Sequence, residues 1–196
     1  MPVEHLFPIP IYSDIVKNEE YKLVQAELDT IVSNIDINSL TNPWDDTVKS
    51  SFDYNAPRDF VERTPIFKEA IHNHMTQYFA EVNPKLPVVD FKITDSWINF
   101  SNRGGYQNYH SHTFSDISGC YYYQSTVEDG DIKFKSPSSA HVSSSILLNK
   151  HVSHKPLQGK LLLFPSFLEH AVMLNNTDNT RISISFNIKF IYKENL

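Results

Sequence analysis

Apolar positions recur at two different periods along the chain, and the change falls near Pro87. Over residues 18–35, Tyr21, Val24, Leu28, Ile31 and Val32 fall at helical spacing, which predicts an amphipathic helix. Residues 64–82 predict a second. Thr64 suits the N-cap and Pro65 the first helical position. Phe67, Ala70, Ile71, Met75, Tyr78, Phe79 and Val82 then make one apolar stripe, and Pro84 and Pro87 end it. Between the helices, residues 39–63 are polar and carry Asn42-Pro43 and Ala56-Pro57, so a loop is expected there. Trp44 and Phe52 would hold that loop against the body.

Beyond Pro87 the period becomes two. Strands are expected at 88–94, 95–101, 106–111, 117–124, 131–135, 160–164, 170–174 and 181–192. Turn signals separate them at Arg103-Gly104-Gly105, Glu128-Asp129-Gly130, Ser136-Pro137-Ser138 and Asn175-Asn176-Thr177-Asp178. Many short strands at this spacing read as a sandwich, a jelly roll or a small barrel. The chain is therefore expected to be mainly β with N-terminal helices. One domain spans 1–196, with 1–87 as helical and loop support and 88–196 as the β core.

Composition narrows the function class. The chain has 196 residues, 40% of them hydrophobic and 13% aromatic, enough for a substantial core. The longest apolar runs, such as 161–165, are too short to cross a bilayer. The N-terminal Met-Pro-Val-Glu-His lacks a basic region followed by an apolar stretch, so no secretory leader is expected. A single cysteine, Cys120, excludes an internal disulfide and a cysteine-based zinc site. A net charge of −6 argues against a binder of phosphate backbones. The expectation is a soluble, cytoplasmic, reduced protein with neither a membrane nor a nucleic acid as its partner.

Three of the nine histidines stand out. Those at 5, 72, 74, 141, 151 and 154 lie near a terminus, on the second helix or beside loops, where a solvated imidazole is the default. His110 and His112 are two apart in a strand, so both project from one face and can reach one metal ion. Imidazole suits Fe, Zn, Cu and Ni alike. The pair alone is equally compatible with exposed polar residues near a strand end. His170 opens a later strand, and in a jelly roll it would meet the pair across the barrel mouth as a third ligand. The competing role is a core histidine bonded to backbone.

Arg181 follows eleven residues on. In 181–187 a period of two puts Arg181, Ser183 and Ser185 on one face, with Ile182, Ile184 and Phe186 on the other. If the polar face is the lumen, the guanidinium requires an anion, because an unpaired buried charge is very costly. A carboxylate would bind it bidentately, with the Ser183 hydroxyl adding a donor. If the face is outside, Arg181 is merely solvated.

The order His110-Ser111-His112, then 118–123 (Ser-Gly-Cys-Tyr-Tyr-Tyr), then 164–170 (Phe-Pro-Ser-Phe-Leu-Glu-His), then Arg181-Ile182-Ser183 resembles the 2-oxoglutarate/Fe(II)-dependent oxygenase superfamily. More narrowly it is similar to the small oxygenases of bacteria and their phages. The resemblance covers about Trp97 to Lys189 and, more loosely, 6–12. It implies a double-stranded β-helix, a cupin-like jelly roll. It implies His110 and His170 as iron ligands and Arg181 with Ser183 as the clamp on the far carboxylate of 2-oxoglutarate. Asn99 matches an asparagine that often touches this cosubstrate. One of Tyr121, Tyr122 and Tyr123 would donate a hydroxyl, with Tyr121 and Tyr123, which share a face, taken as the candidates, and Gln107 would bond to the cosubstrate or support the ligands. The family's carboxylate ligand is replaced here by His112, with Asp116 the nearest alternative.

The resemblance thus implies a dioxygenase using Fe(II), 2-oxoglutarate and O2, a hydroxylase releasing succinate and CO2. Its substrate, a small molecule or a protein group, is not encoded in any motif. The implied setting is the cytoplasm of a bacterium or of a phage-infected cell, and a homodimer is compatible with it. The contrasting expectation is a cupin-like metal-binding module or a structural jelly roll, neither of which needs an inward anion clamp.

Overall fold

In the computed structural model, residues 8–43, 48–82, 88–137 and 150–192 are described. Trp44, His5, His141 and most of the serine-rich stretch that begins at Ser136 lie outside them. The elements run β1 (Tyr12–Ile15), α1 (Asn18–Val32), β2 (Val48–Ser50), α2 (Pro65–Val82), β3 (Val88–Ser101), β4 (Gln107–His110) and β5 (Ile117–Gln124). They continue as β6 (Ile132–Lys135), β7 (His151–His154), β8 (Lys160–Pro165), β9 (His170–Val172) and β10 (Arg181–Tyr192). Two sheets form, a six-stranded one ordered β1-β8-β5-β10-β3-β2 and a four-stranded one ordered β4-β9-β6-β7. Every pairing between named strands is antiparallel.

The larger sheet is buried on both faces, which explains why β8 and the middle of β5 read as nearly continuous apolar runs. On one face Ile98, Tyr121, Leu161, Leu163, Ile182, Ile184 and Phe186 meet Val24 and Leu28 of α1 and Phe67, Ala70, Ile71 and Met75 of α2. On the other, Cys120, Tyr122, Leu162 and Phe164 meet Ile132 and Phe134 of the smaller sheet. Successive residues of β5 and β8 thus serve two different cores. Each fully buried Leu or Phe contributes about 1.5–3 kcal/mol, so both layers hold the sheet in place. Gly119 sits where the Phe186 ring crosses β5; a Cβ there would lie only 2.2 Å from the ring.

Several expectations change. The two predicted strands at 88–94 and 95–101 are one, β3, paired along β10 from Ser101↔Arg181 to Val88↔Tyr192. The first 87 residues are more than support, because β1 and β2 are edge strands of the larger sheet. Strand β7 was not expected either; His151 and His154 begin and end it rather than flanking a loop. Thr64 does not cap α2, since its hydroxyl donates to Val61 O and Phe60 O. The Glu27 carboxylate of α1 accepts from Ile66 N and Phe67 N instead, which satisfies the free N–H groups of α2 from a neighbouring helix. His74 is buried, not at a solvated edge: its Nδ1 lies 2.7 Å from the Tyr12 hydroxyl, which donates to Gln77 Oε1.

Candidate metal centre

The end of β4 and the start of β9 build the centre. His110 and His170 are directly paired in register. His112 follows in the turn after β4, where its backbone N donates to Ser166 O at 2.8 Å and so ties that turn to the segment before His170. One nitrogen from each of the three rings lies within 4.8 Å of the others. The rings are 4.3 Å (110–170), 5.2 Å (110–112) and 5.3 Å (112–170) apart between centroids.

The donor set suits a metal. His110 Nδ1 lies 2.8 Å from Asn108 O, and His170 Nδ1 lies 2.9 Å from Leu168 O. A carbonyl oxygen only accepts, so each Nδ1 carries the proton and each Nε2 keeps its lone pair. Burial lowers the basicity of all three rings. His112 falls to about 4, chiefly by burial and then by the neighbouring His110. His170 falls to about 3 by burial, then by His110, against the opposing bond to Leu168. The neutral form of imidazole, which a metal requires, is therefore the stable one at neutral pH.

A cavity opens from these rings into the space between the sheets. Trp97, Gln107, Cys120, Tyr122, Arg181 and Ser183 line it. Arg181 is 3% exposed, so the polar face of β10 is the inward one. Its Nη1 donates to Asp129 O at 2.9 Å and to Gly130 O at 3.0 Å. The other arginines pair with carboxylates: Arg58 with Asp95, Arg63 with Asp59 and Arg103 with Asp178. Among the described residues no carboxylate side chain forms an ion pair with Arg181. Burial lowers its pKa, and the Tyr122 hydroxyl, the Cys120 thiol and Asp129 partly offset that. The guanidinium is thus buried on a cavity wall with no carboxylate in ion-pair contact among the described residues, an arrangement that suits an anion.

The remaining expected residues divide. Ser183 is nearly buried on the same wall as Arg181. Gln107 lines the cavity. Asn99 pairs with Ser183 in register but is engaged elsewhere, accepting from Ser50 Oγ at 2.8 Å and donating to Ser185 Oγ at 3.2 Å. Tyr121 and Tyr123 are on the wrong face: Tyr121 packs on Phe67 of α2, and the Tyr123 hydroxyl donates to Asp29 of α1. The tyrosine at the cavity is Tyr122, which the alternation of β5 turns inward. Burial raises its pKa, as it raises the Cys120 thiol to about 11, so both keep their protons at neutral pH. Asp116 is held away from the centre by Lys189 Nζ at 3.3 Å and Phe190 N at 2.8 Å. Two further residues were missed, Trp97 and Cys120; their only signal was their period-two position in β3 and β5.

Fold and centre together define a double-stranded β-helix whose mouth holds three neutral imidazoles beside a buried cation. Residues 95–187, from β3 through most of β10, match the family "Putative 2OG-Fe(II) oxygenase". Over that stretch the chain is similar to the 2-oxoglutarate- and iron(II)-dependent oxygenases. Solved structures share the fold. A prolyl-4-hydroxylase of Pseudomonas putida superposes with a TM-score of 0.61 at 14% identity, covering 95% of this chain and 94% of that one. HygX of Streptomyces hygroscopicus, with nickel and 2-oxoglutarate bound, gives 0.61 at 11%, covering 92% and 83%. A prolyl hydroxylase of Trichoplax adhaerens, in complex with a hypoxia inducible factor peptide, gives 0.59 at 15%, covering 94% and 84%. No curated protein matches the chain by sequence. No helix among the described residues is long and apolar enough to cross a membrane.

Proposed function

We propose that His110, His112 and His170 hold Fe(II), that Arg181 with Ser183 and Tyr122 holds the far carboxylate of 2-oxoglutarate, and that the chain hydroxylates its substrate. The observation that carries this reading is the Arg181 guanidinium, buried, without a carboxylate in ion-pair contact among the described residues and facing the same cavity as the three imidazoles. A structural jelly roll or a metal module without an acidic cosubstrate has no use for it.

Bound iron supplies oxidative chemistry driven by decarboxylation of 2-oxoglutarate to succinate and CO2. The chain's own groups do the rest. Asn108 O and Leu168 O fix the ligand tautomers at His110 and His170. Asp129 O and Gly130 O fix the guanidinium, so an incoming carboxylate meets a donor that needs no reorganisation. Ile132, Phe164 and Val172 keep the cavity apolar between the two charged ends and exclude water. With three imidazoles and no carboxylate ligand, the centre keeps the full charge of the metal, which favours a doubly anionic cosubstrate.

The substrate is a small molecule or a protein group that reaches the mouth at His112. The single, unpaired Cys120 suits a reducing compartment, and the chain works in the cytoplasm. The test is an anaerobic titration of 2-oxoglutarate into the Fe(II)-loaded protein. A chelated 2-oxo acid gives a visible charge-transfer band, and adding O2 converts it to succinate. A protein that binds iron without developing the band is a metal module and not this enzyme.

A further inference from the structure

We infer that the indole N–H of Trp97 is a cosubstrate-binding donor, placed to meet an oxygen of the metal-chelating end of 2-oxoglutarate. The inference rests on the reading of the site given above and adds a residue to it. Trp97 is 3% exposed, lines the cavity, and its Nε1 has no acceptor among the described residues. Native proteins leave few buried donors unpaired, and each exception calls for an absent partner. Among the described residues only Trp97 both lines this cavity and carries such an atom.

Its position selects which end of the ligand it meets. Trp97 pairs in register with Ser185, on the β10 face that also carries Ser183 and Arg181. At about 3.4 Å per residue, Ser185 lies roughly 14 Å along the strand from Arg181. The indole is at the opposite end of that row, with its ring centroid 5.9 Å from that of His112. A five-carbon diacid anchored by Arg181 extends its second acid group toward the three imidazoles and the indole.

The chemistry fits that end. An indole N–H only donates and keeps its proton across the working pH range, so it selects an oxygen acceptor over a protonated group. Its orientation is held from behind: Phe52 packs edge-on at 5.1 Å, and Arg58, paired with Asp95 at 2.8 Å, lies 5.0 Å over the Phe52 ring. His110 and His170, whose Nδ1 protons are held by backbone carbonyls, have no hydrogen bond left to give the metal's oxygen ligands once their Nε2 atoms are coordinated. The indole N–H supplies one.

The test uses Trp97→Phe, which keeps an aromatic ring and removes the donor. Loss of one hydrogen bond to a charged oxygen should weaken 2-oxoglutarate by about tenfold to a hundredfold in the anaerobic Fe(II) protein. The charge-transfer band should shift, and metal content should stay at the wild-type level. A variant that loses stability but binds 2-oxoglutarate with wild-type affinity and an unshifted band would make Trp97 a packing residue and overturn the inference. If Trp97→Phe fails to fold, the wild-type protein decides. With Zn(II) in place of iron and 15N at its tryptophans, the buried indole N–H resonance should move downfield when 2-oxoglutarate is added. No movement at saturation sinks the proposal. A wild-type protein that binds no 2-oxoglutarate at all instead removes the cosubstrate reading on which it stands.

Discussion

His110 and His170, sixty residues apart in sequence, are register partners across β4 and β9, with ring centroids 4.3 Å apart. Their Nδ1 atoms are both committed to backbone carbonyls, so neither ring can turn away without breaking a hydrogen bond. His110→Ala or His170→Ala should therefore remove the metal, since no other described imidazole is near enough to replace the missing one. His72→Ala, on a ring stacked against Phe91, is the control and should keep it. Iron content by elemental analysis after anaerobic loading separates the outcomes, and a fully loaded His170→Ala protein would dismiss the centre.

His112 and Asp116 have different expected effects. Asp116→Asn should keep its metal but lose the carboxylate that accepts from Lys189 and Phe190 N. A cost of about 1 kcal/mol is expected, or a fall of about 2–4 °C in Tm. His112→Asp should also keep metal, because the carboxylate occupies the same position in the turn. Loss of metal in Asp116→Asn, with metal retained in His112→Ala, would make Asp116 the third ligand.

The Arg181 clamp can be tested from both sides. Arg181→Gln removes the charge and should weaken 2-oxoglutarate by roughly tenfold to a hundredfold with iron unaffected. Gly130→Ala touches only the support. Gly130 has φ +90°, and a Cβ there would lie 2.3 Å from Met173 O. The turn must shift, carrying the carbonyl that holds the guanidinium with it. Calorimetric titration should show lower cosubstrate affinity alongside lower stability. Unchanged affinity in Arg181→Gln would mean that the anion binds elsewhere.

Acid should destabilise the metal-free protein in a definite window. Burial lowers the pKa of His74, His110, His112, His154 and His170 from the ordinary 6.5, to about 4 for His112 and about 3 for His170. Below 6.5 the unfolded chain takes up protons that the folded one refuses, so stability must fall as pH drops through the folded values. Denaturant midpoints should decline steadily from about pH 7 to about pH 5. Bound metal should raise the midpoints without flattening that slope, because the coordinated rings still take up no protons while the unfolded chain does. A midpoint independent of pH in the metal-free protein would contradict the burial of these rings.

Much of this architecture is written in local periodicity. The stripe of α2 from Phe67 to Tyr78 and the alternation of β10 from Arg181 to Phe186 need no partner to be read. The motif order from His110 to Ser183 carried the resemblance to the oxygenase family, whose model matches residues 95–187. Where local signal is thin, the sequence is silent. β1 and β2 have four and three residues and become strands only because the edges of the larger sheet accept them. The cap on α2 comes from Glu27 on another helix, and His74 is buried because β1 brings Tyr12 over it.

The sequence by itself determined that Arg181, Ser183 and Ser185 share one face and that Tyr121 and Tyr123 share another. Only the tertiary structure decided which of those faces meets the cavity. Both sides of β5 are apolar and buried, one against α2 and one against β6, so no polar alternation marks the inside. The inward tyrosine is Tyr122, because the hydrogen-bond register with β10 sets Tyr122 opposite Ser183. A strand's period comes from its own backbone, whereas the environment of each face comes from whatever layer packs against it.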